Sequence, residues 1–134
     1  MGCPNLGDWA YSRWYPCHAG FARIARRGIR EHAARCRFEG AALDDIETAV
    51  GEALANAVEH GHHPEKGVTV KARELGNGIV IEIHDSGPGF EGDLRHRNRM
   101  LLTPRGYGIR LMTMLMDVVE FTDGGRCVRL TKYL

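Results

Sequence analysis

The apolar residues of this 134-residue chain change period at Val68, and that switch limits the possible folds more than any other feature. Before it, Ile46, Ala49/Val50, Ala53/Leu54 and Ala57/Val58 recur at helical spacing, on a helix that ends at Gly61. After it, Val68, Val70 and Ala72 alternate with Thr69, Lys71 and Arg73. Ile79, Ile81 and Ile83 then alternate with Val80, Glu82 and His84, so an Asn-Gly turn at Asn77-Gly78 predicts a β-hairpin. Upstream, Cys17 to Arg37 predicts a helix with Phe21, Ile24/Ala25, Gly28/Ile29 and Ala33 on its core side and five arginines around the remainder. Those arginines suit a solvated face or an acidic partner. Between the two helices, Asp44 and Glu47 have the spacing of a capping box. Downstream, Ile109 to Met116 is an apolar helical segment, and Val118–Phe121 with Val128–Leu134 forms a second hairpin around Gly124-Gly125. The order helix, helix, hairpin, loop, helix, hairpin predicts an α+β fold: a two-layer α/β sandwich with helices on one face of a mixed, mostly antiparallel sheet. Residues 1–15 carry Trp9, Tyr11, Trp14 and Tyr15, which suit an edge strand, a partner-facing surface, or a cap on the domain's own core.

Composition narrows the function classes. A net charge of +1 gives no global field for nucleic acid or anionic membrane. No apolar run approaches the roughly 20 residues of a membrane span, and the first residues lack the apolar core of a signal peptide. The four cysteines have no CxxC spacing and read as reduced thiols of a cytoplasmic protein. His60, His62 and His63 cluster without a supporting carboxylate or cysteine, which argues against a metal site there. The whole of 1–134 reads as one domain.

Three motifs carry chemistry. Glu52 and Asn56 lie four apart, one turn above the other on an otherwise apolar helix. They sit either on its solvent side or at a site. Asp85 shares the strand face of Ile79, Ile81 and Ile83, the face expected to pack on helices, where a carboxylate is costly unless a donor meets it. Gly87 and Gly89 follow at once and permit close approach of backbone to a flat ligand. Residues 91–105 read as a long loop bearing Arg95, Arg97, Arg99 and Arg105. Gly106-Tyr107-Gly108 then feeds a helix, and a Gly-x-Gly loop at a helix N-terminus suits an anion. It is neither a P-loop nor a dinucleotide fingerprint, because the Gly-Lys-Ser/Thr and the third glycine are missing.

In order and spacing, Glu52-x-x-x-Asn56-Ala-Val-Glu-His60-Gly61, Asp85-x-Gly87-x-Gly89 and Gly106-x-Gly108 resemble the N, G1 and G2 boxes of the GHKL (Bergerat-fold) ATPases. Within that superfamily the Met-Asp-Val-Val-Glu-Phe run before a Gly-Gly hairpin looks like the bacterial anti-sigma-factor serine kinases. The resemblance implies ATP and Mg²⁺ as cofactors. Asn56 would hold the metal, Asp85 the adenine amino group, and Gly87 and Gly89 the passage of the base. Gly106, Tyr107 and Gly108 would wrap the phosphates beneath a lid formed by 90–105, Arg105 would meet the γ-phosphate, and Glu52 would orient or deprotonate the attacking hydroxyl. It further implies a sigma factor and an anti-sigma-factor antagonist as partners, a homodimer, and no direct contact with nucleic acid or membrane. Two other activities fit the same boxes: a non-catalytic, ATP-gated binding module, and a histidine-kinase-type ATPase domain acting in trans.

Overall fold

The computed structural model describes residues 9–17, 20–60, 67–85, 104–122 and 126–134, with the side chains of 59–60 and 104–107 outside that description. Five strands form one sheet: β1 (Tyr11–Tyr15), β2 (Val68–Leu75), β3 (Gly78–Asp85), β4 (Val118–Thr122) and β5 (Cys127–Tyr133), in the spatial order β1-β2-β3-β5-β4. Every described pairing is antiparallel. Three helices among the described residues, α1 (Phe21–Arg35), α2 (Ala41–His60) and α3 (Pro104–Leu115), complete the expected two-layer α+β arrangement. The core lies between the layers, where Ile79, Ile81, Ile83 and Leu130 of the sheet meet Ile29, Ile46, Val50 and Leu54 of the helices.

β1 is an edge strand, paired to β2 from Tyr11 opposite Ala72 to Tyr15 opposite Val68. Its alternation sorts the aromatic residues. Tyr11 and Tyr15 are buried on the helix side with their hydroxyls 2.7 Å apart, whereas Trp14 points to the other face and is 55% exposed. The first hairpin closes with Leu75 opposite Gly78, so the two-residue loop is Gly76-Asn77 and Gly78 already belongs to β3.

The first helix is shorter than its apolar pattern, Phe21–Arg35 in place of 17–37, and the reason lies at its end. Arg37 adopts a left-handed φ of 74°, the Phe38 N–H donates to the Ala33 carbonyl, and the Arg37 N–H donates to the Ala34 carbonyl. This is the Schellman arrangement, with Phe38 and Ala33 both buried as its apolar contact. Ile24, expected on the core side, is 64% exposed, because the buried stripe runs through Ala25, Ile29 and Ala33. Val58, at the far edge of the α2 stripe, is likewise exposed.

The capping-box expectation is corrected as well. α2 begins at Ala41, and the Gly40 carbonyl accepts from the Leu43 and Asp44 N–H groups, which places Asp44 inside the first turn. Its carboxylate and that of Glu47 instead accept from Arg30 Nη1 at 2.8 and 2.9 Å. One arginine of α1 thereby fixes the start of α2, which carries the Glu52–Asn56 pair further along.

Candidate functional site

Helices α2 and α3 pack against each other, and Glu52 of α2 faces Gly108 of α3. Asn56 is only 8% exposed, between core residues Ala53 and Ala57, and its Nδ2 has no hydrogen-bond partner among the described residues. An unsatisfied buried amide costs about 1–3 kcal/mol, so a protein that keeps one has a ligand for it or is destabilised for nothing. One turn earlier, Glu52 is half-buried. Its Oε2 lies where a side chain at Gly108 would go: a Cβ there would stand 2.7 Å from the carboxylate oxygen. Gly108 is buried and helical, and its missing side chain makes the room that Glu52 occupies. The tertiary structure thus joins the first and third motifs through a direct meeting of α2 and α3.

The third motif is built differently from the expected loop. α3 starts at Pro104, two residues inside the predicted 90–105 segment, so Arg105, Gly106, Tyr107 and Gly108 lie within the helix rather than ahead of it. Proline suits a helix start, since its fixed φ is helical and its missing N–H would have no intrahelical acceptor. The Arg105 and Gly106 amides fall in the first turn, among donors left without intrahelical partners, which keeps the anion-binding logic of the motif intact. The side chains of Arg105 and Tyr107, both glycines of the second motif (Gly87 and Gly89), and positions 90–103 of the expected lid lie outside the described residues.

Asp85 is the last residue of β3. Its N–H donates to the Arg126 carbonyl at 2.6 Å, and it sits opposite Val68, where β2 begins. The parity argument holds: Ile79, Ile81 and Ile83 are fully buried against the helices, and Asp85 continues their row into a half-buried position. Burial and, secondarily, the charge of Asp85 push the Cys17 thiol up, so Cys17 lies close to the strand end.

Sequence reading missed a second polar group, on the sheet face away from the core. There Glu82 is almost fully buried and accepts from Arg129 Nε and Nη2 at 2.8 and 2.6 Å, while its other oxygen is 2.7 Å from His84 Nε2. The alternating pattern only sets this face apart from the one that packs on the helices. Glu82-x-His84 was visible as a same-face pair, but their partners on β5 depend on strand register. The His60, His62, His63 cluster lies outside the described side chains.

Comparison with known proteins agrees with this architecture. The model of the family described as "Histidine kinase-like ATPase domain" matches residues 19–132, a span that contains all three motifs. An anti-sigma F factor of Thermoanaerobacter sp. (strain X514) is 42% identical over 102 residues, covering 69% of this chain and 71% of that protein. The serine-protein kinase RsbW of Bacillus velezensis is 30% identical over 131 residues, covering 89% and 80% respectively. Its namesake in Bacillus subtilis is 28% identical over the same length. The chain belongs to the histidine kinase-like ATPase domain family, the ATP-using group that its three motifs resemble.

Proposed function

We propose that this protein is an ATP-dependent anti-sigma factor with protein-serine kinase activity, which binds a sigma factor and phosphorylates a serine of an antagonist protein. The observation that carries the reading is the pairing on α2: a buried Asn56, whose Nδ2 has no hydrogen-bond partner among the described residues, one turn from a Glu52 carboxylate that fills the space left by Gly108. The relatives named as an anti-sigma F factor and as serine-protein kinases support the same activity.

The residues present fit a magnesium nucleotide. Asn56 offers a hard amide oxygen for Mg²⁺ and an uncommitted N–H donor for a phosphate oxygen. Mg²⁺ held at Asn56 would supply positive charge to offset the charge that develops on the phosphate during transfer. Asp85 accepts from the adenine amino group at the strand end, with Gly87 and Gly89 giving the base room. The first-turn amides of α3, at Arg105 and Gly106, bind phosphate; Gly108 keeps α3 close to Glu52; Tyr107 and the Arg105 side chain belong to the same phosphate-facing turn. Residues 90–103 act as the lid. Glu52 accepts the proton of the attacking serine hydroxyl as its oxygen bonds to the γ-phosphorus and the bond to ADP breaks. Phosphorylation of the antagonist leaves the sigma factor bound, so the nucleotide state selects the partner. The working unit is a homodimer, with the edge strand β1 at or near its interface. No described helix is long and apolar enough to cross a membrane.

The test follows γ-labelled ATP with Mg²⁺ in extract from the source organism, with acid treatment of the labelled protein. An acid-stable phosphoprotein that needs both Glu52 and Asn56 is expected. Glu52→Ala should lower transfer by roughly 10²–10⁴-fold while ATP affinity stays, because the acid serves proton transfer and not nucleotide binding. An acid-labile product would indicate transfer to histidine, and ATP binding without a labelled product would indicate a nucleotide-gated binding module.

A further inference from the structure

On the face of the sheet turned away from the helices, three potential metal-binding atoms from two strands converge. They are Glu82 Oε1 and His84 Nε2 of β3 and Cys127 Sγ of β5, all within 4.8 Å of one another. Strand register brings them together: His84 pairs directly with Cys127, and Glu82 precedes His84 by two residues on the same face. The geometry points to a site for a borderline-soft divalent transition metal of the Zn²⁺ class, held by Glu82, His84 and Cys127 with a fourth position open to solvent.

A hydrolytic or thiol-transfer relay is the competing use of such a trio, and the contacts disfavour it. In a relay the acid would hold one imidazole nitrogen and the thiol the other. Here the carboxylate, at 2.7 Å, and the thiol, at 3.7 Å, both approach the same nitrogen, Nε2. Both contacts converge on Nε2, so the three atoms form one compact group of nitrogen, oxygen and sulfur, as a shared ion requires. Tetrahedral zinc bonds would set the nitrogen and sulfur about 3.5 Å apart and the nitrogen and oxygen about 3.3 Å apart. The Nε2···Sγ separation of 3.7 Å is already close to the first of these values, and binding would replace the Nε2···Oε1 hydrogen bond and draw Oε1 and Sγ, now within 4.8 Å, together around the ion. The His84 ring is the one ligand with access to solvent, at 31% exposure beside 2% for Glu82.

The rest of the site suits this role. Arg129 binds Glu82 Oε2 through Nε and Nη2, while Oε1 faces His84, so the arginine fixes the carboxylate plane as an outer partner does in metal sites. The positive charges of Arg129 and of Lys71, which lies opposite Glu82 on β2, are balanced by Glu82 and by Glu120, which lies opposite Arg129 on β4. Binding releases the thiol proton of Cys127, so affinity falls as pH falls. The ligand set of N, S and O selects zinc, cobalt or nickel over magnesium. None of these residues belongs to the nucleotide site, so the inference is independent of the kinase reading.

Cobalt is the probe, added to the full chain without nucleotide in the presence of excess Mg²⁺. The expected result is a thiolate-to-cobalt charge-transfer band in the near ultraviolet, displaced by equimolar Zn²⁺. The band should vanish in Cys127→Ser and in His84→Gln and persist in Cys36→Ser, which controls for the separate His32–Cys36 contact. His84→Gln changes a partly exposed side chain, and its thermal melt should match that of the parent, so loss of the band there is not loss of fold. No band in the parent protein, or a band that survives both ligand substitutions, would overturn the assignment.

Discussion

At the scale of one residue, Asn56 is the clearest departure from what stability alone would choose. A buried position between two alanines on α2 would be more stable with an apolar side chain of similar size, since its Nδ2 has no hydrogen-bond partner among the described residues. Asn56→Leu should therefore raise the unfolding free energy by about 1–2 kcal/mol, read as a higher melting temperature, while ATP no longer protects the protein against heat. A variant that lost stability would show that the amide has a structural partner and would remove the main support for its ligand role. Gly108 makes the complementary point: its value lies in the missing side chain, because Glu52 takes up that space. The sequence marked both residues as motif members. That one is unsatisfied and the other touches Glu52 depends on how α2 and α3 pack.

At the scale of the element, helix ends decided several boundaries that periodicity alone placed elsewhere. Apolar spacing carries the first helix to Arg37, but Arg37 takes a left-handed conformation to close the Schellman turn, a place where glycine is usual. Arg37→Gly should relieve that conformation and stabilise the protein by roughly 1 kcal/mol, as measured by a shift in urea midpoint. The exposed contacts of Arg37 with Glu74 and with the Gly76 carbonyl are too weakly held to offset the gain. Similarly, Asp44 and Glu47 have capping-box spacing, yet Gly40 starts the helix and Arg30 takes both carboxylates. Local spacing states which bonds are possible; a cation delivered from α1 selected among them.

For the whole molecule, the junction between β1 and α1 gives a measurable pH response. Burial, with Arg35 nearby, pushes the His32 imidazole below its usual range, against a smaller opposing pull from Glu74. The neutral ring is thus favoured in the folded protein and the unfolded chain binds the proton more readily. Stability should be unaffected by this group above about pH 6.5 and should fall as pH drops from there through the lowered folded-state value. Melting curves between pH 7 and pH 5 should show a shallower decline for His32→Gln than for the parent; equal slopes would mean that His32 stays open to solvent. Because the Tyr11 ring lies tilted against His32 with centroids 5.7 Å apart, the same measurement reports how firmly the edge strand is seated.

The sequence by itself determined the α+β class, the two hairpins, the helical placement of Glu52 and Asn56, and the family resemblance. Each of these depends on spacing along one chain, and periods of 3.6 and 2 survive any tertiary arrangement. The position of Asp85 on the core face was legible for the same reason. What only the tertiary structure decided were meetings between distant segments. These include Gly108 against Glu52, β5 inserted between β3 and β4, and Arg30 reaching across to α2. The polar cluster of Glu82, His84, Cys127 and Arg129 is the sharpest case, since Cys127 stands 43 residues from His84 and meets it only through the register of β3 on β5. Side-chain alternation tells which residues share a face within one strand; hydrogen-bond register across strands, fixed by packing of the whole core, tells which of them touch.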